Sequence, residues 1–481
     1  MPRIFVFGIG GTGSRIMKAL TLTLAAGVNL NGYDLVPIFI DPHKDLPEFK
    51  DCKELVSIYT DLHQAAYAHQ QPGPGAFFHT PIVSLGDASG GEIASGFDFD
   101  ERIDETFGEF LDLHLLDKGD INRDLTELLF SEKNLNTPLS VGFKGNPNIG
   151  SVVLNKMDQA GWYKAFENIF SDQDRIFIIS SIFGGTGAAG FPLLVKNLRE
   201  SSNKYIQRAM IGALPVMPYF KLGEPDKDAE HADIDSNSFF TKTKSALSYY
   251  ENHLKGVDAL YYLADLHEQS VPYKNDEKLQ DNKAHLIELI GASAIIDFSQ
   301  TTGGGSKAER FYHYTPAENT SPIHFYNLGN QLRDQLYLPL VNFYVFAQVH
   351  NTFKKHPDAP AIKNEKFDAH FFRSDAVTAL ERYFQRYWLK WIGELAQNDR
   401  QFAPFNLRLE ADRFHKLVVG NPLKEKKFWV VADTFDHSNY LNSLENSRNE
   451  VAHLSGADKF SRYLILAQKA MQSVNQKKFK L

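Results

Sequence analysis

The chain builds one unit twice: an apolar strand that runs into Gly-Gly-Thr-Gly and then a helix. The first copy is RIFVFGIGGTGSRIMKAL at the amino terminus, with Gly10, Gly11, Thr12 and Gly13 in the turn, followed by Ser14. The second is RIFIISSIFGGTGAAGF, with Gly184, Gly185, Thr186 and Gly187 in the turn. Glycine there allows a tight reversal and a close approach of backbone to a ligand, and the helix start supplies unpartnered N–H groups and partial positive charge. The repeat therefore predicts two phosphate-binding loops facing one ligand, or two tight strand-to-helix turns.

The surrounding pattern sets the fold class. Residues 4–7, 35–40, 176–180, 210–216 and 259–263 read as strands, and 14–26 and about 187–199 as helices. Pro192 is expected in the first turn of the second helix, where a missing N–H costs little. Such alternation predicts an α/β protein with a parallel sheet covered by helices on both faces. Residues 52–135 interrupt it with the turn-rich QQPGPG (70–75) and GDASGGEIASG (86–96) and with one or two amphipathic helices over 107–129. They are expected to be an insertion. An acidic loop at 222–235 precedes a helix at 239–254, and TTGGGSKAER (301–310) reads as a hinge. The expected division is a nucleotide-binding domain over 1–300 and a mainly helical domain over 301–481. Apolar positions recur with helical period at 325–350, 374–397 and 457–475, broken by a strand at 426–433, KKFWVVAD. The aromatic run at 383–395 reads as core, with Arg386 and Lys390 snorkelling.

Composition removes several classes. A net charge of −8 over 481 residues argues against a nucleic-acid sheath. The single cysteine, Cys52, excludes an intramolecular disulfide and a cysteine-cage zinc site. The 17 histidines hold no His-Glu-x-x-His pair or tight cluster, so no dedicated metal site is expected. No run of about 20 apolar residues is present, and the first residues lack a signal-peptide pattern. The expectation is a cytoplasmic chain with no membrane span.

The first turn carries Gly8-x-Gly10-x-x-Gly13, and Asp41 ends the next strand, where it would accept from a ribose hydroxyl. On its own this leaves an NAD(P)-dependent oxidoreductase open. A dinucleotide does not need the second loop, whereas a nucleoside triphosphate can use two loops from adjacent strands, with Thr12, Ser14 and Thr186 adding hydroxyl donors. Neither loop holds Gly-Lys-Ser/Thr, which excludes a P-loop. A third loop, VGFKGNPNIGSVVL (141–154), places Gly142, Gly145, Asn146, Pro147 and Gly150 just before a helix.

The order of these motifs resembles the tubulin/FtsZ superfamily of GTP-binding proteins, and within it the divergent bacterial tubulin-like proteins. The family loop GGGTGTG is matched by FGGTGAA (183–189), with Phe183 in place of the first glycine. KGNPNIG is similar to the family's γ-phosphate-sensing loop, and Asp41-Pro42-His43 stands where the family has Asn/Asp-Thr-Asp. Asp265, ending YLAD, stands where the family contacts ribose or base. Residues 280–298 resemble the central helix whose start contacts guanine, which makes Asn282 the candidate base reader; the alternative is that Asn282 caps that helix. The resemblance covers roughly residues 1–300. It implies GTP or GDP, with any Mg²⁺ arriving on the nucleotide, and assembly with itself or with partner proteins. In the family, acidic residues after the central helix complete a neighbour's site. IIDFSQ (295–300) offers Asp297 but has Gln300 at the second acidic position, so slow or absent hydrolysis is expected. The alternative for Asp297 is a helix terminator. The helical last third departs from the small mixed sheet of the family, so filament formation does not carry over. A scaffold in a multi-protein bacterial system, with nucleotide as a structural element, is a third reading.

Overall fold

The computed structural model describes residues 1–42, 47–69, 71–73, 75–91, 104–143, 145–220, 236–265, 282–301, 311–314, 322–398, 401–408, 414–421, 435–454 and 458–479. Six parallel strands form its sheet: β1 (Arg3–Ile9), β2 (Asp34–Ile40), β3 (Arg175–Ser181), β4 (Met210–Val216), β5 (Ala259–Leu263) and β6 (Phe311–Tyr314). Their order is β2-β1-β3-β4-β5-β6. The α/β class expected from the alternation is the one observed. β6 has no counterpart in the sequence reading, because FYHY is short and follows a glycine-rich stretch; it adds a strand beyond the boundary expected at 301–310. The strand expected at 426–433 and the loop at 222–235 lie outside the described residues.

The helices that the argument uses are α1 (Gly10–Ala25), α2 (Pro47–Tyr67), α3 (Ile121–Leu129), α4 (Pro147–Val153), α5 (Gly161–Ile169), α6 (Gly185–Glu200), α7 (Ser236–His253), α8 (Leu286–Gln300), α9 (Asn330–Lys355), α10 (Asp375–Arg382), α11 (Leu389–Gln397) and α12 (Lys459–Phe479). Pro192 is the eighth residue of α6, beyond its first turn.

Strands buried on both faces read as near-continuous apolar runs, and their alternate side chains feed two cores. In β1, Ile4 and Val6 enter one core while Phe5, Phe7 and Ile9 enter the other; in β3, Phe177 and Ile179 part company with Ile176 and Ile178 in the same way. The first core lies under α1, α2 and α8 and runs on without a break into α9, the aromatic segment Tyr383–Trp388, and α12. Cys52 of α2 is in this core, and burial pushes its thiol up to about 12, well clear of thiolate chemistry at neutral pH. The second core holds Trp162, Tyr163 and Phe166 of α5 with Phe191, Leu194 and Leu198 of α6. Phe166 meets Phe5 and Phe7 edge-on, at 5.1 and 5.3 Å between ring centroids.

Among the described residues no helix is long and apolar enough to cross a membrane.

Candidate functional site

In an open parallel sheet the loops leaving the carboxyl ends of the strands share one edge. A crevice opens there where two neighbouring strands send their chains in opposite directions. β1 and β3 are neighbours of this kind. β1 leads through α1, on the first face, to β2; β3 leads through α6, on the second face, to β4. The two Gly-Gly-Thr-Gly turns flank that crevice and touch: a Cβ built on Gly10 would lie 3.8 Å from the Cβ of Thr186. The third loop closes on the second. A Cβ on Gly185 would sit 3.1 Å from the backbone nitrogens of both Gly145 and Asn146. Ile9 pairs with Ile40 in register, so Gly10 and Asp41 leave the sheet side by side, and Asp41 is buried.

Three helices begin at this edge without a capping side chain. α1 starts after Ile9, α4 after Asn146 and α6 after Gly184; none receives a side-chain cap hydrogen bond, and none has an acidic residue in its first turn. Elsewhere in the chain Ser84, Thr106, Asp120, Ser131, Asn203, His285 and Asp436 do cap their helices. Missing caps are not confined to this edge, since α5 and α9 also begin without one. Here, however, three such starts and their glycine turns meet, and a ligand's oxygens would take the place of a cap.

The glycines divide by role. A Cβ on Gly13 would lie 2.4 Å from the carbonyl carbon of Gly8, and one on Gly187 would lie 2.5 Å from the Ser181 carbonyl oxygen. The last glycine of each turn therefore lets its helix pack on its own strand. Gly10 takes φ +71°, which other residues adopt only with strain, and Gly11 has open space around it. A Cβ on Gly184 would meet only the Ser181 Oγ, at 2.8 Å. The Ser14 hydroxyl faces the Gly10 carbonyl at 3.5 Å, the limit of bonding distance, so it turns toward its own helix. Phe183, just ahead of the second turn, is buried with its ring against Phe220. Tyr219, next to Phe220, packs edge-on against that ring at 4.9 Å.

At the far side of the crevice Asp265, just past β5, is buried with its carboxylate 3.9 Å from Nε2 of His285. His285 is the residue that caps α8. Its Nδ1 accepts from the Ile287 N–H at 3.1 Å, and Glu288 returns a bond to the His285 N–H at 3.2 Å. The proton of a neutral His285 ring is then on Nε2, toward Asp265. The reading of Asn282 as helix cap is corrected accordingly: α8 begins four residues later. Asn282 lies beside Arg15, which donates to the backbone carbonyls of Asn282 (3.2 Å) and Lys283 (2.7 Å) and pairs with Glu48 and Glu288, both at 2.6 Å. A cleft of about 570 Å³ adjoins this cluster, lined by Arg15, Lys18, Glu48, Asn282, Glu288 and Trp391 among others. Its cations already face carboxylates, so it offers less to a phosphate than the glycine turns do.

Lys242 escaped the sequence reading. It projects from α7 and its Nζ donates to the Gly145 carbonyl at 2.9 Å, which places an ammonium at the third glycine loop. Burial pulls its pKa below the ordinary lysine value. No sequence signal marks it, because 97 positions separate it from Gly145.

Asp297 does not join this group. It lies in the last turns of α8, inside the helix and not in a loop after it. It accepts from the Tyr261 hydroxyl at 2.8 Å and from Gln331 Nε2 at 2.7 Å. This end of α8 is at the amino ends of the strands, where Arg175, the first residue of β3, donates to the Phe298 carbonyl. His43 lies outside the described residues.

No protein-family model matches the chain, and no curated protein matches it. Among solved structures it is similar to CetZ from Methanosaeta thermophila strain DSM 6194, at 16% identity over 55% of this chain and 46% of that one, with a TM-score of 0.27. It is also similar to CetZ2 from Haloferax volcanii, described as a GTPγS-bound protofilament, at 14% identity over 61% and 55% of the two chains, TM-score 0.27. These matches span about half the length of each of those proteins.

Proposed function

We propose that the chain binds GTP or GDP in the crevice between β1 and β3 and acts through nucleotide-dependent assembly, with itself or with partner proteins. The observation that carries this reading is the convergence of three uncapped helix starts and their glycine turns on one sheet edge. A nucleoside triphosphate would supply a chain of phosphate oxygens to these N–H groups. Gly10, Gly11 and Thr12 would hold it from the first face, Gly184, Gly185 and Thr186 from the second, and Gly145 and Asn146 from the third loop. Gly13 and Gly187 would act by seating their helices, and Lys242 would bring positive charge. Asp41 and Asp265 are carboxylates at the crevice suited to ribose hydroxyls, and Asn282 offers an amide for the base. Among the described residues no group of three or more His, Cys, Asp or Glu side chains could hold a metal ion; Mg²⁺ would come with the phosphates. Asp297 sits at the opposite end of the molecule, where only the nucleotide of a second copy would be within its reach. With Gln300 beside it, hydrolysis is expected to be slow.

Gly11 is the place to test the reading. A Cβ there meets nothing in the folded chain, so Gly11→Ala is expected to fold normally while crowding the phosphate cradle and weakening GTP binding at least about tenfold. Gly185 is a poorer choice, because its Cβ would press on the third loop. Calorimetric titration with GTP, ATP and NAD decides the matter. Tight NAD binding and no GTP binding would favour the oxidoreductase reading, and unchanged GTP affinity in the variant would remove the crevice from consideration. Asn282→Ala should lower GTP affinity by about 1–3 kcal/mol and narrow the gap to ATP. Phosphate release that stays below about one per minute at every protein concentration is the expected turnover.

A further inference from the structure

Helix α3 turns its apolar side away from the protein. Ile121, Leu125, Leu128 and Leu129 recur at helical spacing and cover an arc of about 100°, yet they are 81, 50, 82 and 64% exposed. No residue of α3 is buried. Leu115, just upstream, is 71% exposed, so five of the six exposed leucine and isoleucine side chains among the described residues lie within fifteen positions. Isolated exposed leucines need no explanation, but a concentration of this kind marks a contact surface. Phe130, which ends the helix, packs on Phe107, and the hydrogen bonds described for its side chains are local. Asp120 caps the Asn122 N–H, and Arg123 pairs with Glu127 at 2.8 Å and donates to the Leu116 carbonyl at 3.0 Å. Nine residues make a helix of marginal intrinsic stability, and this one keeps a regular apolar stripe for which its own fold has no use.

Charge identifies what would cover it. Residues 104–135 carry nine acidic and three basic side chains, a net −6 in a chain whose total is −8. We propose that α3 docks into an apolar groove of a partner protein whose rim carries lysine and arginine. A second copy of this chain is a poor occupant, since it would bring the same excess of negative charge to the contact. The area argues the same way. A nine-residue helix is about 14 Å long, and four aliphatic side chains laid against a matching helix fall short of the roughly 800 Å² per partner of a stable interface. A groove that encloses the helix on both flanks enlarges the contact and meets the acidic flanks with opposite charge. This surface is independent of the nucleotide reading.

The test uses the full chain in cells of its source organism, with p-benzoylphenylalanine introduced at Leu128 and, as control, at Tyr205, an exposed aromatic residue elsewhere. The expected result is an ultraviolet-induced adduct to a different protein from position 128 and none from 205. That protein, purified, should bind the wild-type chain at least about tenfold more tightly than Leu125→Asp. Its affinity should fall as salt rises from about 50 to about 300 mM. Leu125→Asp is expected to melt near the wild-type temperature, because the side chain is half exposed and no residue of α3 is buried. An adduct only with a second copy would overturn the proposal. So would a partner indifferent to both Leu125→Asp and salt, or the absence of any adduct at 128.

Discussion

The β1–α1 and β3–α6 units start from nearly the same residues and end in different surroundings. α1 buries eleven of its sixteen residues and α6 eight. α1 lies between the sheet and a second layer of α2, α8 and α9, whereas α6 keeps one side toward solvent, with Lys196 exposed on it. Cations on α1 are matched by carboxylates of neighbouring helices, Arg15 by part-buried Glu48 and buried Glu288 and Lys18 by Asp51. On α6, Arg199 pairs with Asp258 at the surface, at 2.9 Å. The difference follows from strand order. Neighbouring strands that connect in opposite directions send their helices to opposite faces, so one turn sequence serves two environments while the turns themselves meet at a single crevice.

The comparison can be broken most severely at the glycines that seat the helices. Gly13→Val and Gly187→Val each force side-chain atoms onto strand backbone, and both are expected to cost more than about 3 kcal/mol or to prevent folding, read by chemical denaturation. A well-folded Gly13→Val beside an unfolded Gly187→Val would show that the two turns are not equivalent. Next come the arginines. Arg15→Ala leaves Glu288 buried beside one cation fewer and should destabilise by about 3 kcal/mol, whereas Arg199→Ala should cost about 1 kcal/mol. Equal losses would mean that burial does not distinguish the two helices.

A third substitution sharpens the shared crevice. Lys242→Met should leave thermal stability nearly unchanged and reduce GTP affinity by about 1–2 kcal/mol, with a smaller loss for guanosine. A loss as large for guanosine would place the lysine's role away from the phosphates. The smallest effect is a pH dependence. Burial raises the Glu288 carboxyl above the usual glutamate value, and the Arg15 charge offsets this only in part. A carboxyl raised in the folded state favours folding when protonated. Its contribution is complete below the ordinary value and is lost as pH climbs through the raised one. Glu288→Gln should flatten the stability profile over that interval, measured by urea unfolding at a series of pH values. An unchanged profile would show that Glu288 is not the source.

Most of the strands could be read directly from the chain, because strand period, apolar runs and glycine turns are properties of neighbouring residues. LVPIFI and ALYYL announce β2 and β5 for this reason, and the two Gly-Gly-Thr-Gly turns announce helix starts. β6 did not announce itself: four aromatic and histidine residues become a strand only because β5 offers them an edge. The cap of α8 falls on His285, three positions beyond Asn282, for a similar reason. Histidine is an uncommon cap, and His285 serves as one where Glu288 closes the capping box and Asp265 stands nearby.

The amino-acid order therefore carried the fold class, the glycine turns and the absence of a P-loop lysine, all of which depend on contacts a few residues apart. It did not carry the meeting of Gly10 with Thr186, of Gly185 with Gly145, or of Lys242 with the third loop. Those depend on which strands are neighbours, and strand order is settled by the burial of two apolar sheet faces at once, a condition on the whole chain. The exposure of α3 belongs with them: its leucine spacing predicts an amphipathic helix, but only the packed structure leaves that stripe without a core to enter.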